Sequence, residues 1–445
     1  MTRRGRLVAL VAAATLAAPL AARAQDAAKG ADLELIRVVR ALGDRIAAIV
    51  GRPARGDLMA LRAEEPARIA AARSRAARML PDAVAAARGR AWSDLGWRST
   101  DPAELVAALE LDLAGMTLDA DGGRLLVDPT RLVPDSGHGD PNEDPDASLL
   151  LATGVAADEP VAGHYIAHIL TDEPPPASPP TTDSLLARAA LSEGTANLAA
   201  LILLFGGVGL EAEVVGGTLR PEDALAGRLV GPGRHAESPA VASLVEFAYL
   251  DGFAQAAAIA KRGDFRRLLA ERKTRRTTRD VIHLDRPPAT PPEVSQPVIP
   301  GPAEWSLADR DALGEQGIVV LVSHLTGKDN LGLMAGDGWV ADALWRFEPK
   351  GADPSRPGFT VWTTRWTSED EAKDFLYALE RCFQARFPSE AFHDLGDGAR
   401  SLGRADRSYR IEIRGSEVSL RIAPPSIEAL LQKKKGAEPR SRPPK

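Results

Sequence analysis

The chain has 445 residues, 44% of them hydrophobic, which is enough to bury a sizeable core divided over two or three domains. Its formal net charge is −6, and it becomes −6 − 4 = −10 once the four arginines of residues 1–24 are removed. A surface of this charge has no general affinity for nucleic acid, so we expect no nucleic-acid partner. Cys382 is the only cysteine, which excludes a disulfide within the chain.

The first residues predict a Sec signal peptide over residues 1–24. A basic start is followed by an apolar run over residues 7–22 and by the small-residue pattern Ala22-Arg23-Ala24, with cleavage expected after Ala24. An uncleaved anchor is less favoured because the run is shorter than the ~20 residues of a membrane span and Pro19 interrupts it. No later segment is long and apolar enough to span a membrane. We therefore expect export to a periplasm or out of the cell.

The next 260 or so residues are predicted to be mainly helical. Residues 25–98 are predicted to form a helical region, and residues 33–93 within it show the spacing of two or three amphipathic helices. Within residues 99–284, a β-hairpin is expected at 116–127, a helix at 159–171 and a second helix from Thr182 or Asp183 to about Leu204. Further helices are expected at 238–262 and 265–272.

Residues 285–304 contain seven prolines and are predicted to form an extended linker between domains. Residues 305–425 then predict a small α+β domain, with a helix at 307–325, strands at 340–347 and 359–366, a helix capped by Thr367, and a terminal hairpin at 409–422. Residues 426–445 are predicted to be a disordered basic tail. The fold class expected for the whole chain is α+β.

Two histidines carry the clearest chemical signal. His164 and His168 are four residues apart on the helix predicted at 159–171, which places both imidazoles on one face, where they can bind one metal ion. Glu193 lies on the following helix, and a reversing loop could bring its carboxylate to the same point. Two histidines and one glutamate leave a tetrahedral ion one open position.

These segments resemble the zinc-binding core of gluzincin-type peptidases, in particular secreted bacterial proteins with a helix like AHELTHALQDQ, then an EGxA helix, then a segment like STEQILHPEKY. The chain has GHYIAHILTDE at 163–173, SEGTA at 192–196 and TTRDVIH at 277–283. The hairpin at 116–127 and the tryptophan-rich segments around 338–339 and 361–366 also resemble that family. The likeness extends over most of residues 100–385.

The resemblance implies roles for individual residues. His164, His168 and Glu193 match the family's zinc ligands, and Asn197, one turn beyond Glu193, could orient a ligand imidazole. His283 matches a histidine that follows the core, and it could either stabilise a tetrahedral oxyanion or simply pack. The implied fold is a mainly helical metallopeptidase-like core with a preceding β-hairpin, followed by the C-terminal α+β domain.

Tyr165 departs from the family pattern. The residue after the first histidine is a glutamate in HExxH enzymes, where it accepts a proton from the zinc-bound water. A phenol with an ordinary pKa of ~10 is protonated at neutral pH and is a poor base, and loss of a general base lowers the rate roughly 10²- to 10⁴-fold. We therefore expect a degenerate site in which Tyr165 is not functional as a base. The phenolic oxygen could also fill the open position on the metal.

The function that we predict is that of an exported, zinc-binding pseudopeptidase that binds a peptide or a protein in its cleft. Two alternatives stay open: an active zinc endopeptidase with an unconventional base, and a non-enzymatic structural envelope protein without metal. The oligomeric state is open as well.

Overall fold

The computed structural model describes residues 33–97, 100–110, 115–132, 158–174, 176–204, 238–261, 264–299, 304–351 and 357–433. Both helices and strands are present in these residues, so the predicted α+β class is confirmed. No helix among the described residues combines the length and the apolar character that crossing a membrane requires. The predicted signal peptide lies outside the described residues.

The chain forms two compact units. One takes its described residues from Met1–Ala72, Asp112–Asp172 and Ala199–Val214, and the other from Arg73–Leu111, Glu173–Leu198 and Val215–Lys445.

A three-stranded sheet and two long helices make up most of the first unit. The strands lie in the order β1-β3-β2; β1 is parallel to β3, and β2 is antiparallel to it. The predicted hairpin at 116–127 is therefore confirmed as β2 and β3. The elements are α1 (33–50), β1 (Met59–Arg62), β2 (Met116–Leu118), β3 (Arg124–Val127) and α5 (Glu159–Thr171).

Strand β1 lies within residues 25–98, for which only helices were predicted. Met59 pairs with Arg124 and Arg62 with Val127 in parallel register. A parallel partner from a distant part of the chain cannot be read from local periodicity, because the pairing decides the strand. Helix α2 (Glu65–Met79) follows β1 directly.

The second unit begins with a group of helices. Glycine and proline mark several of their ends: Pro102 and Pro239 stand in first turns, and Gly96 follows the end of α3 with a positive φ. The elements are α3 (Asp82–Leu95), α4 (Pro102–Leu109), α6 (Thr182–Leu204), α7 (Pro239–Glu246), a π-helical turn (Phe247–Asp251), α8 (Gly252–Lys261), α9 (Asp264–Glu271) and α10 (Thr278–Ile282).

A seven-stranded antiparallel sheet follows, in the order β4-β5-β6-β10-β9-β8-β7. Helix α13 packs against β6, β9 and β10 on one face, and α14 contributes Ile427 to an aromatic cluster with Trp345 and Phe359. The elements are β4 (Trp305–Asp311), α11 (Gly314–Thr326), α12 (Asp329–Gly336), β5 (Trp339–Pro349), β6 (Phe359–Trp366), α13 (Glu369–Arg386), β7 (His393–Gly396), β8 (Ala399–Gly403), β9 (Ser408–Arg414), β10 (Glu417–Ala423) and α14 (Pro425–Lys433).

Most of the predicted elements are present, and two predictions in this region are wrong. Residues 305–311 form a strand rather than the start of a helix; β4 pairs with β5, and α11 begins only at Gly314, where φ is 72°. The cap of α13 is Ser368 rather than Thr367, because the Ser368 hydroxyl accepts the Glu371 N–H at 3.2 Å.

The proline-rich segment 285–304 has no helix or strand in its described residues, and it also contributes to the fold. Val294 is buried in the aromatic cluster of the sheet, and Arg365 donates a hydrogen bond to the Glu293 carbonyl at 3.1 Å. At the other end of the domain, Pro425–Lys433 is helical, so the predicted disordered tail does not begin at residue 426. The rest of that tail lies outside the described residues.

Candidate metal centre

Helix α5 carries both histidines, as the spacing predicts. Pro160 stands in its first turn and Asp172 is its C-cap, so the helix has the predicted bounds Glu159–Thr171. The helix is buried continuously from Pro160 to His168, because it packs on β2 and β3. Its imidazoles are therefore enclosed by protein, with His164 1% and His168 7% exposed.

The two imidazoles are at the separation that one ion requires. The Nε2 atoms of His164 and His168 are 3.1 Å apart. Two nitrogens bound to one tetrahedral zinc at 2.0–2.1 Å would be about 3.3 Å apart. Without an ion this contact is a hydrogen bond in which one ring is protonated on Nε2 and the other accepts.

Glu193 completes the group. His164, His168 and Glu193 each offer one ligand atom, and these atoms all lie within 4.8 Å of one another. All three side chains are buried, and Glu193 is 7% exposed. The predicted convergence of two imidazoles and a carboxylate from successive helices is therefore present, and the three residues form a group that could bind a metal ion.

Close helix packing positions α6 in its middle, at Gly194, and near its C-terminal end, at Leu203. A Cβ built on Gly163, directly before His164, would lie 2.7 Å from a Leu203 methyl carbon, so the two helices approach closely there. A Cβ on Gly194, directly after Glu193, would lie 2.1 Å from the Gly252 carbonyl oxygen. Because α6 is one continuous helix, the contacts at Gly194 and Leu203, which both follow Glu193, restrict where its carboxylate can lie.

Asn197 bonds to the π-helical turn and shows no bond to a histidine. Its Nδ2 donates to the Tyr249 carbonyl at 3.4 Å, and its Oδ1 has no hydrogen-bond partner among the described residues. A π-turn displaces a carbonyl from the regular ladder and is frequent at functional sites. The role of Asn197 in orienting an imidazole stays a prediction.

Asp172 also lies at this site, and the sequence analysis assigned it no role. Its Oδ2 lies 2.8 Å from His168 Nδ1. A carboxylate on the far nitrogen fixes the tautomer and leaves Nε2 as the metal ligand, which is a common arrangement for metal-binding histidines. The four-residue spacing from His168, which places Asp172 on the same side of the helix, is the signal that could have revealed it.

Tyr165 lies beside the histidines. Its ring is buried and meets the His164 ring edge-on, with centroids 5.2 Å apart, and the His168 centroid is 6.4 Å away. The position that a carboxylate occupies in an HExxH sequence is therefore taken by a phenol packed against the two histidine rings.

His283 has a carboxylate partner in the second unit. Its Nε2 lies 2.8 Å and 3.1 Å from the two carboxylate oxygens of Glu315. Burial raises the pKa of Glu315 above its ordinary value, and the charge of His283 opposes that shift. His283 does not belong to the metal-binding group identified in the described residues. Its role as an oxyanion stabiliser stays a prediction.

Comparison with known proteins matches part of the C-terminal region. A family model described as Domain of unknown function (DUF8575) matches residues 305–432, which hold the seven-stranded sheet and not the helices of His164, His168 and Glu193. No curated protein and no solved structure matches the chain.

Proposed function

We propose that this protein is an exported, metallopeptidase-like zinc protein that binds a peptide or protein segment without cleaving it efficiently. The observation that carries the proposal is the buried convergence of His164, His168 and Glu193 within 4.8 Å, next to a tyrosine at the general-base position.

The residues suit zinc better than a hard cation. Two imidazoles and one carboxylate are the ligand set of many catalytic zinc sites, whereas Ca²⁺ and Mg²⁺ take mainly oxygen ligands. The 3.1 Å separation of the two Nε2 atoms fits tetrahedral binding, and Asp172 holds His168 with Nε2 available to the ion. When bound, zinc would supply a Lewis acid and one open position.

Tyr165 accounts for the proposed loss of catalysis. Peptide hydrolysis at such a site needs a group that accepts a proton from water and returns it to the leaving amine. A carboxylate does this at neutral pH, and a phenol with an ordinary pKa of ~10 does not. Asp172 cannot substitute for it without losing its contact to His168.

Metal analysis of the purified mature protein tests the zinc site. We expect one equivalent of zinc, which is lost in His164→Ala and kept in His283→Ala, because His283 is paired with Glu315. Absence of zinc from the native protein, with no change of stability in His164→Ala, would favour a structural protein without metal and would refute the proposal.

Restoring the acid tests the missing base. Tyr165→Glu is expected to gain casein cleavage, and Tyr165→Gln, which is similar in size but has no basic oxygen, is the matched control. If the native protein already cleaves casein as fast as Tyr165→Glu, the chain is an active peptidase and the pseudopeptidase proposal is wrong.

A further inference from the structure

The start of α6 is surrounded by buried carboxylates from other parts of the second unit. Asp311, at the end of β4, accepts the Thr182 N–H at 2.6 Å and the Thr182 hydroxyl at 2.8 Å. The next residue of α6, Asp183, donates its N–H to the Ala312 carbonyl at 2.9 Å. Asp342, on β5, accepts the N–H groups of the residues at 313 and 314. Three carboxylates therefore meet where α6 begins.

Two of these carboxylates are well compensated. Asp342 accepts four hydrogen bonds, two from backbone N–H groups and two from the indoles of Trp339 and Trp362. Asp311 accepts a third bond from the Trp92 indole and lies 3.5 Å from the Arg88 guanidinium. Burial still raises the pKa of Asp342, and its hydrogen bonds oppose that rise.

Asp183 has less compensation. Its carboxyl accepts the Thr278 N–H at 2.8 Å and the Thr278 hydroxyl at 2.7 Å, and both bonds end on Oδ1. No lysine, arginine or histidine among the described residues forms an ion pair with it. A Cβ built on Gly314 would lie 1.9 Å from Oδ1, so the backbone of α11 excludes water from that side. Oδ2 is available to hold a proton.

The electrostatic balance favours the neutral acid. Burial raises the pKa of Asp183 to about 7, the charges of Asp342 and Asp280 add to the rise, and the hydrogen bonds from Thr278 oppose it. The ordinary value is 3.8, so this carboxyl changes its charge in the physiological range.

We propose that Asp183 is a protonated carboxylic acid in the folded protein below neutral pH, and that its ionisation loosens the contact of α6 with α10 and α11. We call this contact the α6 junction; it consists of Asp183, Thr278 and Gly314. The other titratable and charged groups on the elements packed around it are Arg88, Arg279, Asp280, His283, Asp309, Asp311, Glu315 and Asp342.

Ionisation of Asp183 also affects α6 further along its length, where Glu193 lies. Glu193 lies ten residues after Asp183 on α6, which is about 15 Å along the helix axis. The α6 junction holds the N-terminal end of that helix, so ionisation of Asp183 destabilises the element that presents Glu193. This regulation does not require a bound metal, and it therefore stands or fails independently of the proposed zinc site.

The sign of the pH dependence follows from linkage. A carboxyl whose pKa is raised by folding contributes most to stability below its ordinary value and loses that contribution as the pH rises through the folded value. For Asp183 the stability is lost between about pH 4 and pH 7. A rise from 3.8 to about 7 corresponds to a change on the order of 10³-fold in the unfolding equilibrium constant.

Urea unfolding of the full mature protein between pH 5 and pH 8 tests this. The stability of the native protein should fall over this range. In Asp183→Asn we expect a much smaller fall, and the variant should be more stable than the native protein at pH 8. Asp57→Asn is the control, because Asp57 is exposed and paired with Arg55. Equal pH dependence in the native protein and in Asp183→Asn would overturn the proposal.

Two further measurements do not depend on the folding of Asp183→Asn. Infrared spectra of the native protein should show a buried protonated carboxylic acid at pH 6 that disappears at pH 8.5. Thr278→Val removes one hydrogen bond to Oδ1 and should move that transition to higher pH, while Thr278→Ser should leave it in place. Absence of any protonated carboxyl at pH 6 would also refute the proposal.

Discussion

Replacing Gly194 with alanine adds a methyl group where α6 and α8 touch through their backbones. The new Cβ would lie 2.1 Å from the Gly252 carbonyl oxygen, about 1.2 Å closer than the ~3.3 Å of the closest Cα–H···O contacts between backbones. Neither atom belongs to a side chain that can rotate away. The helices must therefore separate, and Glu193, the preceding residue, must move with α6.

Two opposing terms set the size of the effect. Alanine is favoured over glycine in a helix interior by about 1 kcal/mol. Overpacking costs typically 1–3 kcal/mol, and we take the upper end because the obstructing atom is backbone. We expect Gly194→Ala to lower the free energy of unfolding by about 2 kcal/mol.

Two other helical glycines serve as matched controls. At Gly89 of α3 the nearest atom, Pro102 Cδ, is 3.4 Å from the added Cβ, so alanine fits and should stabilise by about 0.5–1 kcal/mol. At Gly163 the nearest atom is a Leu203 methyl carbon at 2.7 Å, which can rotate, so Gly163→Ala should fall between the other two.

Urea unfolding of the three variants measures the stabilities, and zinc titration against a chelator measures the site. We expect zinc affinity to fall in Gly194→Ala and to be unchanged in Gly89→Ala, since a ligand displaced by about 1 Å no longer fits the ion. If Gly194→Ala is as stable as Gly89→Ala, the close packing of α6 and α8 is not the feature that positions Glu193.

Two more variants test individual contacts. Asp172→Asn should weaken zinc binding roughly 10- to 100-fold in chelator competition, because the amide holds His168 less well; unchanged affinity would mean that the His168 contact does not support the ligand. Arg88→Met should lower the free energy of unfolding, measured in urea, by about 3–5 kcal/mol. The buried carboxylate of Asp309 lies 3.0 Å from the Arg88 guanidinium and would lose its cation. A loss below about 1 kcal/mol would contradict this expectation.

Local patterns were sufficient where a segment's own residues decide its structure. Helix α5 has the bounds that its own residues predict, with Pro160 in its first turn. Alternation and turn residues were likewise sufficient for the hairpin at 116–127 and for the strands near 340–347 and 359–366, because side-chain periodicity follows from backbone geometry.

Pairing between distant segments could not be predicted from local sequence patterns. Strand β1 exists because it pairs with β3, and β4 exists because it pairs with β5, so a helical period in either stretch was misleading. The partners of buried polar groups could not be predicted for the same reason. No residue near His283 in the sequence indicates its contact with Glu315, and none near Asp183 indicates its bond with Thr278.

The amino-acid sequence by itself therefore determined the identity of the candidate ligands and the tyrosine beside them, since residue type and four-residue spacing are local properties. Tertiary structure alone decided that Glu193 comes within 4.8 Å of both imidazoles, and that Asp183 is buried with no cationic partner among the described residues. Both outcomes depend on how helices and strands from distant parts of the chain pack together, and on the water that this packing excludes.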